Sequence, residues 1–328
     1  MFLQANQIES KVSNKEKYCR FCASNEVPLF LQPWWMDAVC KSNAYWEVFL
    51  YEEDNEIKGI FVCYFVKKMG MKIVIQPQLT QYNGVWLIYD PTMSVNEKIK
   101  YEKVATTALI EKLNKSGFDY FNQNFSLNFS NWLPFYWQGF SQTTRYTYQI
   151  NDISTPLTCL KSFGKDKQAR IKKAQKHLHV LENMSGRAFY EHLTRYRKLK
   201  NKSVLFTEPF FLNLHDTALA KGQGKIIAVA DKSETIHAAI FLVWDSERCY
   251  NLMTTINPEY NSFGGSSLMI YEAIKYMSDK VKIFDFEGSM NENIESSFSR
   301  FGTTQRAYFN LKKYNSFRSR VIFKLLKK

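Results

Sequence analysis

The stretch Asn261–Gly302 reads NSFGGSSLMIYEAIKYMSDKVKIFDFEGSMNENIESSFSRFG and joins a small-residue turn, a helix and an acidic strand. The turn Gly264–Ser267 precedes the helix, and free backbone N–H groups at a helix start can hold phosphate. The strand IFDFEG alternates phenylalanine with Asp285 and Glu287, so we expect both carboxylates on one face. This order predicts a phosphate-binding turn beside a carboxylate strand, which is typical of a transferase with a phosphate-bearing donor.

The two carboxylates are the candidate catalytic residues. A carboxylate at a strand end, in a cleft, can act as a general base toward an amine, because partial burial raises its pKa toward neutral pH. Glu287 ends the strand, immediately before Gly288, and we favour it for chemistry. Asp285 is the second candidate, and a structural role for it is equally open.

The positive charge of the chain is concentrated in two segments. The formal net charge is +13, and residues 161–202 hold 13 Lys and Arg against 3 acidic residues. Residues 312–328 hold 7 basic residues and no acid. Local excess of this kind favours an anionic partner such as RNA, nucleotide phosphates or anionic lipid, although a solvated basic face explains the first segment equally well.

The remaining composition predicts a reduced protein without a bound metal. The 6 cysteines are scattered, and the pair Cys19-x-x-Cys22 lacks the second pair that a zinc site needs. The N-terminal MFLQANQIESK has neither the basic nor the apolar region of a signal peptide. The longest apolar run, Ile60–Val66, is too short to span a bilayer. We therefore expect a cytoplasmic protein.

Hydrophobic periodicity predicts a mixed α/β protein made of two halves of similar order. Each half contains a strand, an acidic turn and a second strand, VFLYEEDNEIKGIFVCYF in the first and IIAVADKSETIHAAIFLVW in the second. Each continues with a long helix and a strand that begins Phe-Asp-aromatic, at Phe118 and at Phe284. The repeated order indicates a diverged duplication. We predict domains at residues 1–151 and 152–313, followed by a basic amphipathic tail at 314–328.

A polar loop in the first half is the candidate substrate-binding segment. PQLTQYNG, residues 77–84, lies between two strand signals and carries Gln81, Tyr82 and Asn83. Because loops commonly carry recognition residues, we predict that these three side chains contact a substrate. The dipeptide Asn83-Gly84 is also typical of a simple turn, and that interpretation is equally open.

With these motifs together, the chain resembles the FemAB-like and BioF2-like branch of the GNAT acyltransferase superfamily. The resemblance rests on the duplicated halves, the basic stretch ARIKKAQKHLHV and the block NSFGGSS…FDFEGS…FSRFG, with PWWMDAV and PQLTQYNG nearer the N-terminus. It implies an α/β (α+β) fold of two tandem GNAT-like domains, each a mostly antiparallel mixed sheet flanked by helices. Asn261 stands where the GNAT pyrophosphate loop has Gln or Arg, and Ser266 replaces its last small residue.

The family implies transfer of an acyl or aminoacyl group to an amine, with no covalent enzyme intermediate. The donor would be an acyl-CoA or an aminoacyl-tRNA, held on the second domain, while the first domain shapes the acceptor side. The resemblance places the donor on the turn and the basic helix, which together comprise Asn261, Gly264, Gly265, Ser266, Ser267, Arg170, Lys172, Lys173 and Lys176.

Three functions are open on these observations. The first is an N-acyltransferase with a small-molecule or cell-wall-precursor amine as acceptor. The second is a peptidoglycan-bridge aminoacyltransferase that uses aminoacyl-tRNA. The third is a non-catalytic protein of the same fold that binds RNA or a membrane surface. The basic amphipathic tail suits an anionic membrane surface or packing on the body. An intact carboxylate strand beside an open cleft would favour the enzymes.

Overall fold

The fold is taken from a computed structural model that describes residues 12–199 and 201–325. The N-terminal MFLQANQIESK, Lys200 and the last three residues of the predicted tail lie outside these ranges. The helices of the described part are α1 (Asn14–Ser24), α2 (Pro33–Ala38), α3 (Val95–Lys115), α4 (Leu133–Trp137), α5 (Pro156–Ser162), α6 (Lys165–Ala174), α7 (Gly186–Leu199), α8 (Glu208–Ala220), α9 (Gly265–Met277), α10 (Glu292–Phe298) and α11 (Phe317–Leu325). The strands are β1 (Ala44–Glu53), β2 (Glu56–Lys68), β3 (Met71–Ile75), β4 (Gly84–Leu87), β5 (Tyr120–Asn124), β6 (Ser141–Ile150), β7 (His179–Leu181), β8 (Gly224–Ala230), β9 (Ile236–Trp244), β10 (Arg248–Ile256), β11 (Ile283–Gly288) and β12 (Thr304–Tyr314).

These strands form one sheet that runs through both halves of the chain. Their order is β1-β2-β3-β5-β12-β6-β11-β10-β9-β8-β7, and β4 pairs with β2 outside this path. Among the named strands the pairing is antiparallel except between β3 and β5 and between β10 and β11. The predicted α/β class, with a mostly antiparallel mixed sheet and flanking helices, is confirmed.

The centre of the sheet is an exchange of strands between the halves. β12, which ends the sheet-forming part of the second half, pairs on one side with β5 and on the other with β6. β6, the last strand of the first half, pairs in turn with β11. The ladder between β12 and β6 runs from Thr304↔Gln149 to Lys312↔Ser141. Each half therefore completes the sheet of the other, which the sequence pattern did not indicate.

Both parallel ladders are short, and each ends where its two strands diverge. The last pair between β10 and β11 is Tyr250↔Asp285, and the last pair between β3 and β5 is Ile75↔Asn122. Beyond these pairs the facing edges of the strands can line a cleft, which is where open sheets with parallel strands commonly bind ligands. The two halves differ in what fills that cleft.

In the first half the divergence is closed by the loop between β3 and β4. Both strands pair with β2, so the loop 76–83 interrupts what is otherwise one strand edge. The Gln76 side chain donates to the Thr80 carbonyl oxygen at 3.0 Å and accepts from the Asn124 N–H at 3.0 Å. Asn124 Nδ2 also donates to the Gln81 carbonyl oxygen at 2.9 Å. The chain's own polar groups therefore occupy the first-half cleft.

Helices cover both faces of the sheet in the second half. Neighbouring residues of β9 belong to different cores, because side chains alternate between the faces of a strand. Phe241 packs in the core that includes α7, α8 and Trp35 of α2. Ile240 packs in the core that includes α6, α9 and Phe284 of β11. The predicted turn and the basic helix thus lie on one face of the sheet, and α2 lies on the other.

The tail folds back onto the body of the protein. Ile322 and Phe323 of α11 pack with residues of β3 and β5, and the ring of Phe323 stacks on Tyr120 with centroids 4.1 Å apart. Packing on the body, one of the two alternatives for the tail, is therefore observed, while Phe317 at the start of α11 is exposed. Within 12–199 and 201–325, every helix is too short or too polar to traverse a lipid bilayer.

The strand exchange predicts that the two halves depend on each other for folding. Separate fragments 1–151 and 152–328 each lack a central strand, so we expect neither to show a cooperative thermal transition by circular dichroism. Co-expression of both fragments should restore a cooperative transition, because β6 and β12 can then pair. A monomeric 152–328 fragment that unfolds cooperatively on its own would contradict the inferred dependence.

Candidate active site

The cleft between β10 and β11 is the candidate active site. Its volume is about 530 Å³, and it opens beyond the last parallel pair, Tyr250↔Asp285. Apolar side chains dominate the lining, and the charged groups are those of Glu287 and Arg197. The other lining residues are Gln78, Leu79, Leu193, Leu205, Phe206, Asn251, Leu252, Met253, Thr254, Phe286, Gly288, Ser289, Ile294 and Phe298.

β11 loses its regular alternation at Glu287. The ladder with β6 contains a bulge between Asp285 and Gly288, and Glu287 has a φ of 59°. Positive φ strains a residue that has a Cβ, and such strain is found mostly where the surrounding structure enforces it, often at active sites. Gly288 fits tightly beside β6, where a Cβ would lie 2.4 Å from the Tyr146 carbonyl oxygen. The strict alternation predicted for this strand is therefore wrong at its end.

The carboxyl group of Glu287 is buried and unpaired. The residue as a whole is half-buried, but its Oε1 is buried and has no hydrogen-bond partner among the described residues. Burial raises the pKa of Glu287 well above the ordinary value of 4.5, and the nearby charge of Asp285 raises it further. A carboxyl group with a raised pKa in a cleft is suited to proton transfer near neutral pH.

Asp285 is the centre of a buried hydrogen-bond network. Its Oδ1 accepts from Thr147 Oγ1 at 2.5 Å and from the Glu287 N–H at 2.8 Å. Its Oδ2 accepts from Gln149 Nε2 at 2.6 Å and lies 3.7 Å from Arg248 Nη1. Burial raises the pKa of Asp285, while Arg248 and these hydrogen bonds act in the opposite direction. Asp285 lies behind Glu287 and does not line the cleft, so its environment fits a positioning role.

The three predicted substrate-binding residues of the first-half loop are buried. Gln81 Nε2 lies 3.5 Å from Asp285 Oδ1 and joins the buried network. The Tyr82 hydroxyl bonds to the Tyr250 hydroxyl at 3.0 Å, and Asn83 is fully buried. The loop does reach the cleft, but through other side chains.

Sequence reasoning missed the residues of that loop which line the cleft. Gln78 and Leu79 both face it, and Gln78 Nε2 donates to the Leu205 carbonyl oxygen at 2.7 Å. Leu79 has a φ of 52°, so the backbone turns sharply at this point. Neither residue type signals function, and only the placement of the loop as an insertion between β3 and β4 brings them to the site.

The predicted donor turn lies at the N-terminus of α9 and is covered by α6. Gly264 has a φ of 83°, and a Cβ there would lie 2.6 Å from the Arg170 carbonyl oxygen. The glycine is therefore required by close packing between helices. The other four turn residues divide into a buried pair, Gly265 and Ser267, and an accessible pair, half-buried Ser266 and exposed Asn261.

The predicted basic helix is α6, and the structure brings it beside that turn. Lys173 Nζ donates to the Ser262 carbonyl oxygen at 3.1 Å. Arg170 and Lys172 are exposed residues of the same helix, and the exposed Lys176 lies in the turn that follows it. Exposed cations close to a helix start form a surface that attracts phosphate. Within 12–199 and 201–325, no group of three His, Cys, Asp or Glu side chains could hold a metal ion.

A family model matches part of the second half of the chain. Residues 165–293 match the family model of the acetyltransferase (GNAT) domain. This segment begins with α6 and ends in α10, so it contains the turn, the cleft strands and both carboxylates. No curated protein matches the chain by sequence. The predicted resemblance to the GNAT superfamily is confirmed for this domain.

Solved structures share the fold over most of the chain. FemX has a TM-score of 0.70 at 12% identity, covering 96% of this chain and 98% of its own. L-PGS from Bacillus licheniformis has a TM-score of 0.51 at 10% identity, with 88% and 89% covered. A tandem GNAT protein from the clavulanic acid biosynthesis pathway has a TM-score of 0.50 at 8% identity, with 83% of each chain covered. The chain therefore shares the fold of FemX over nearly its whole length.

The network predicts that Asp285 is needed for stability. Asp285→Ala leaves the buried Arg248 without its carboxylate and removes the acceptor of Thr147 and Gln149. We expect a loss of about 3 kcal/mol or more in the free energy of unfolding, measured by urea denaturation. The matched control is Asp166→Ala, which removes an exposed ion pair to Arg300 and should cost less than about 1 kcal/mol. Equal losses in both variants would show that the network is not stabilising.

Proposed function

We propose that this chain, which carries a GNAT acetyltransferase domain in a FemX-like fold, is an N-acyltransferase. It would move an acyl or aminoacyl group from a phosphate-bearing donor to an amine. The observation that carries the proposal is Glu287, which lines the cleft between β10 and β11 and whose buried Oε1 has no hydrogen-bond partner among the described residues. A buried acceptor of this kind is costly unless a ligand uses it.

The proposed reaction uses Glu287 as a general base. The amine nitrogen attacks the acyl carbon of the donor, the bond from that carbon to the donor's sulfur or oxygen breaks, and Glu287 takes the proton that the amine releases. Beyond Tyr250 the edge of β10 no longer pairs with β11, so its backbone N–H groups can stabilise the developing oxyanion. Asp285 fixes the backbone of Glu287 by accepting its N–H.

The donor is best accounted for by an acyl-CoA. The matched family is an acetyltransferase domain, and the exposed cations of α6 lie beside the start of α9, on the strand–helix connection that follows β10. An aminoacyl-tRNA is the second candidate. Arg170, Lys172 and Lys176 are exposed and form a basic surface that a larger polyanion can reach. Both donors are anionic, so they must be separated by experiment.

The acceptor is an amine that enters on the side of the first-half loop. Gln78 and Leu79 narrow the cleft there, close to the end of β11. A small-molecule amine or a cell-wall-precursor amine fits this position. A membrane-held acceptor is supported by one further observation, the exposure of Phe317 (81%) and Met69 (57%) beside basic residues such as Arg318.

The general-base role predicts the behaviour of Glu287→Gln. We expect this variant to lower kcat/KM by about 10²- to 10⁴-fold in a coupled assay with acetyl-CoA and an amine panel. In the unmodified protein kcat/KM should rise with pH through an apparent pKa above the usual carboxyl range, since the base must be ionised. That rise should be absent from the residual activity of Glu287→Gln.

Stability measurements keep a folding defect apart from a catalytic one. Because the pKa of Glu287 is raised in the folded state, the unfolded state releases its proton first as pH increases. Stability from this group is therefore fully present below pH 4.5 and is lost as pH rises toward the raised pKa. Glu287→Gln lacks this loss and should be at least as stable as the unmodified protein at pH 7. Full activity in a stable Glu287→Gln variant would remove Glu287 from the mechanism, whereas a lack of turnover in the unmodified protein would favour the non-catalytic alternative.

The proposed donor surface is tested by charge reversal on α6. The pair Arg170→Glu and Lys172→Glu should weaken donor binding by about tenfold or more in calorimetry, because two cations near the phosphates are lost. The weakening should shrink as salt is raised. Lys98→Glu with Lys100→Glu on α3 applies the same charge change elsewhere and should leave binding unaltered. Acetyl-CoA and aminoacyl-tRNA are compared in parallel. The donor is assigned as the one that binds the unmodified protein and whose affinity falls in the Arg170→Glu and Lys172→Glu variant.

A further inference from the structure

A second cavity, of about 220 Å³, lies between the end of the first-half sheet and the turn that joins β9 to β10. Trp86 and Ser126 line it from the first half, and Arg248 lines it from β10. It shares no lining residue with the cleft that contains Glu287. This cavity is therefore a separate site from the cleft, although its Arg248 also faces the carboxylate of Asp285.

The guanidinium of Arg248 is buried and poorly satisfied. The side chain is only 9% exposed, yet its closest charged neighbours are Asp285 at 3.7 Å and Glu247 at 3.9 Å, both beyond hydrogen-bond distance. Its Nε has no hydrogen-bond partner among the residues of the described ranges. Arginine carries five N–H donors, so most of its hydrogen-bonding capacity is unused by the protein. The Asp285 carboxylate does not supply the missing acceptors, because its Oδ2 lies 3.7 Å from Nη1 and is held there by Gln149.

We propose that this cavity binds a small monocarboxylate, with its carboxylate on the guanidinium of Arg248. A planar carboxylate matches the N–H fork of arginine and can accept two hydrogen bonds at once. Such a ligand satisfies the Nε donor, which is buried without a hydrogen-bond partner among the described residues. Tyr82 and Tyr250 also line the cavity, and their hydroxyl groups bond to each other at 3.0 Å.

The remaining walls select a singly charged ligand with an apolar body. Glu26 and Glu247 also line the cavity. Their negative charges repel a phosphate dianion more strongly than a monocarboxylate. Asp245 also lines the cavity, but its oxygens accept backbone N–H groups, including that of Leu29 at 3.2 Å. Among the described residues, Asp245 forms no ion pair with Arg248 within 4.0 Å. Trp86 offers an apolar surface to the rest of the ligand.

The test is a binding titration with three probes. Isovalerate supplies a carboxylate with an apolar body, isovaleramide is its neutral isostere, and inorganic phosphate is the alternative anion. Calorimetry on the full chain should show binding of isovalerate and at least about tenfold weaker binding of isovaleramide. Arg248→Gln should weaken isovalerate by about tenfold or more. Equal binding of the amide, tighter binding of phosphate, or no binding of isovalerate would overturn the proposal.

Two further variants keep the result interpretable. Asn128 is an exposed residue at the cavity, so Asn128→Trp should fold normally and block isovalerate without touching the guanidinium. It decides the question if Arg248→Gln fails to show a cooperative thermal transition. Arg197→Gln changes the arginine of the other cleft and should leave isovalerate binding unchanged. Loss of binding in Arg197→Gln, or its retention in Asn128→Trp, would place the carboxylate elsewhere and overturn the assignment.

Discussion

The buried carboxylate of Asp285 is the interaction on which the arrangement of the site depends. A buried charge is tolerated only when donors and a counter-ion surround it. Here the donors come from β6, from the backbone after Asp285 itself and from Gln81 of the first-half loop, and the counter-ion is Arg248 of β10. Four segments, namely β6, β10, β11 and the first-half loop, therefore meet at Asp285. Their contacts there fix the backbone from which Glu287 enters the cleft. Asp285 therefore positions Glu287, the proposed general base, through the backbone N–H of Glu287.

Much of the fold could be predicted from local patterns, because they depend on residues close in sequence. The long helix α3, for example, follows from its apolar periodicity and a Ser94 capping box. The strand exchange could not be predicted in this way, since β12 reads as an ordinary strand and its partners are more than 150 residues away. The repeat of Phe-Asp-aromatic was also misleading in detail. Asp119 lies just before β5 and accepts the Lys72 N–H, whereas Asp285 lies inside β11.

The candidate site divides along the same line. Glu287 could be singled out because a carboxylate at the end of a strand, before a glycine, is a local signal, although its bulge and its burial are not. The glycines of the predicted donor turn have packing reasons that no motif reveals, the close approach of α6 at Gly264 and of His237 at Gly265. Counted from the last parallel pairs, Asn122 and Asn124 of β5 occupy the positions of Asp285 and Glu287. An amide cannot take up a proton, so the physical difference between the halves lies in two side-chain types as well as in the loop that fills the first cleft.

The central pairing of β12 with β6 also bears on the order in which the chain is made. The sheet of the first half has a place between β5 and β6 that only residues 304–314 fill. On the ribosome, β1 to β6 are synthesised long before that segment. The facing edges of β5 and β6 therefore lack their partner while most of the second half is synthesised. The first half therefore cannot reach its final form until residues 304–314 have left the ribosome. The same strand β6 then carries both the new ladder with β12 and the side chains of Thr147 and Gln149 that donate to Asp285.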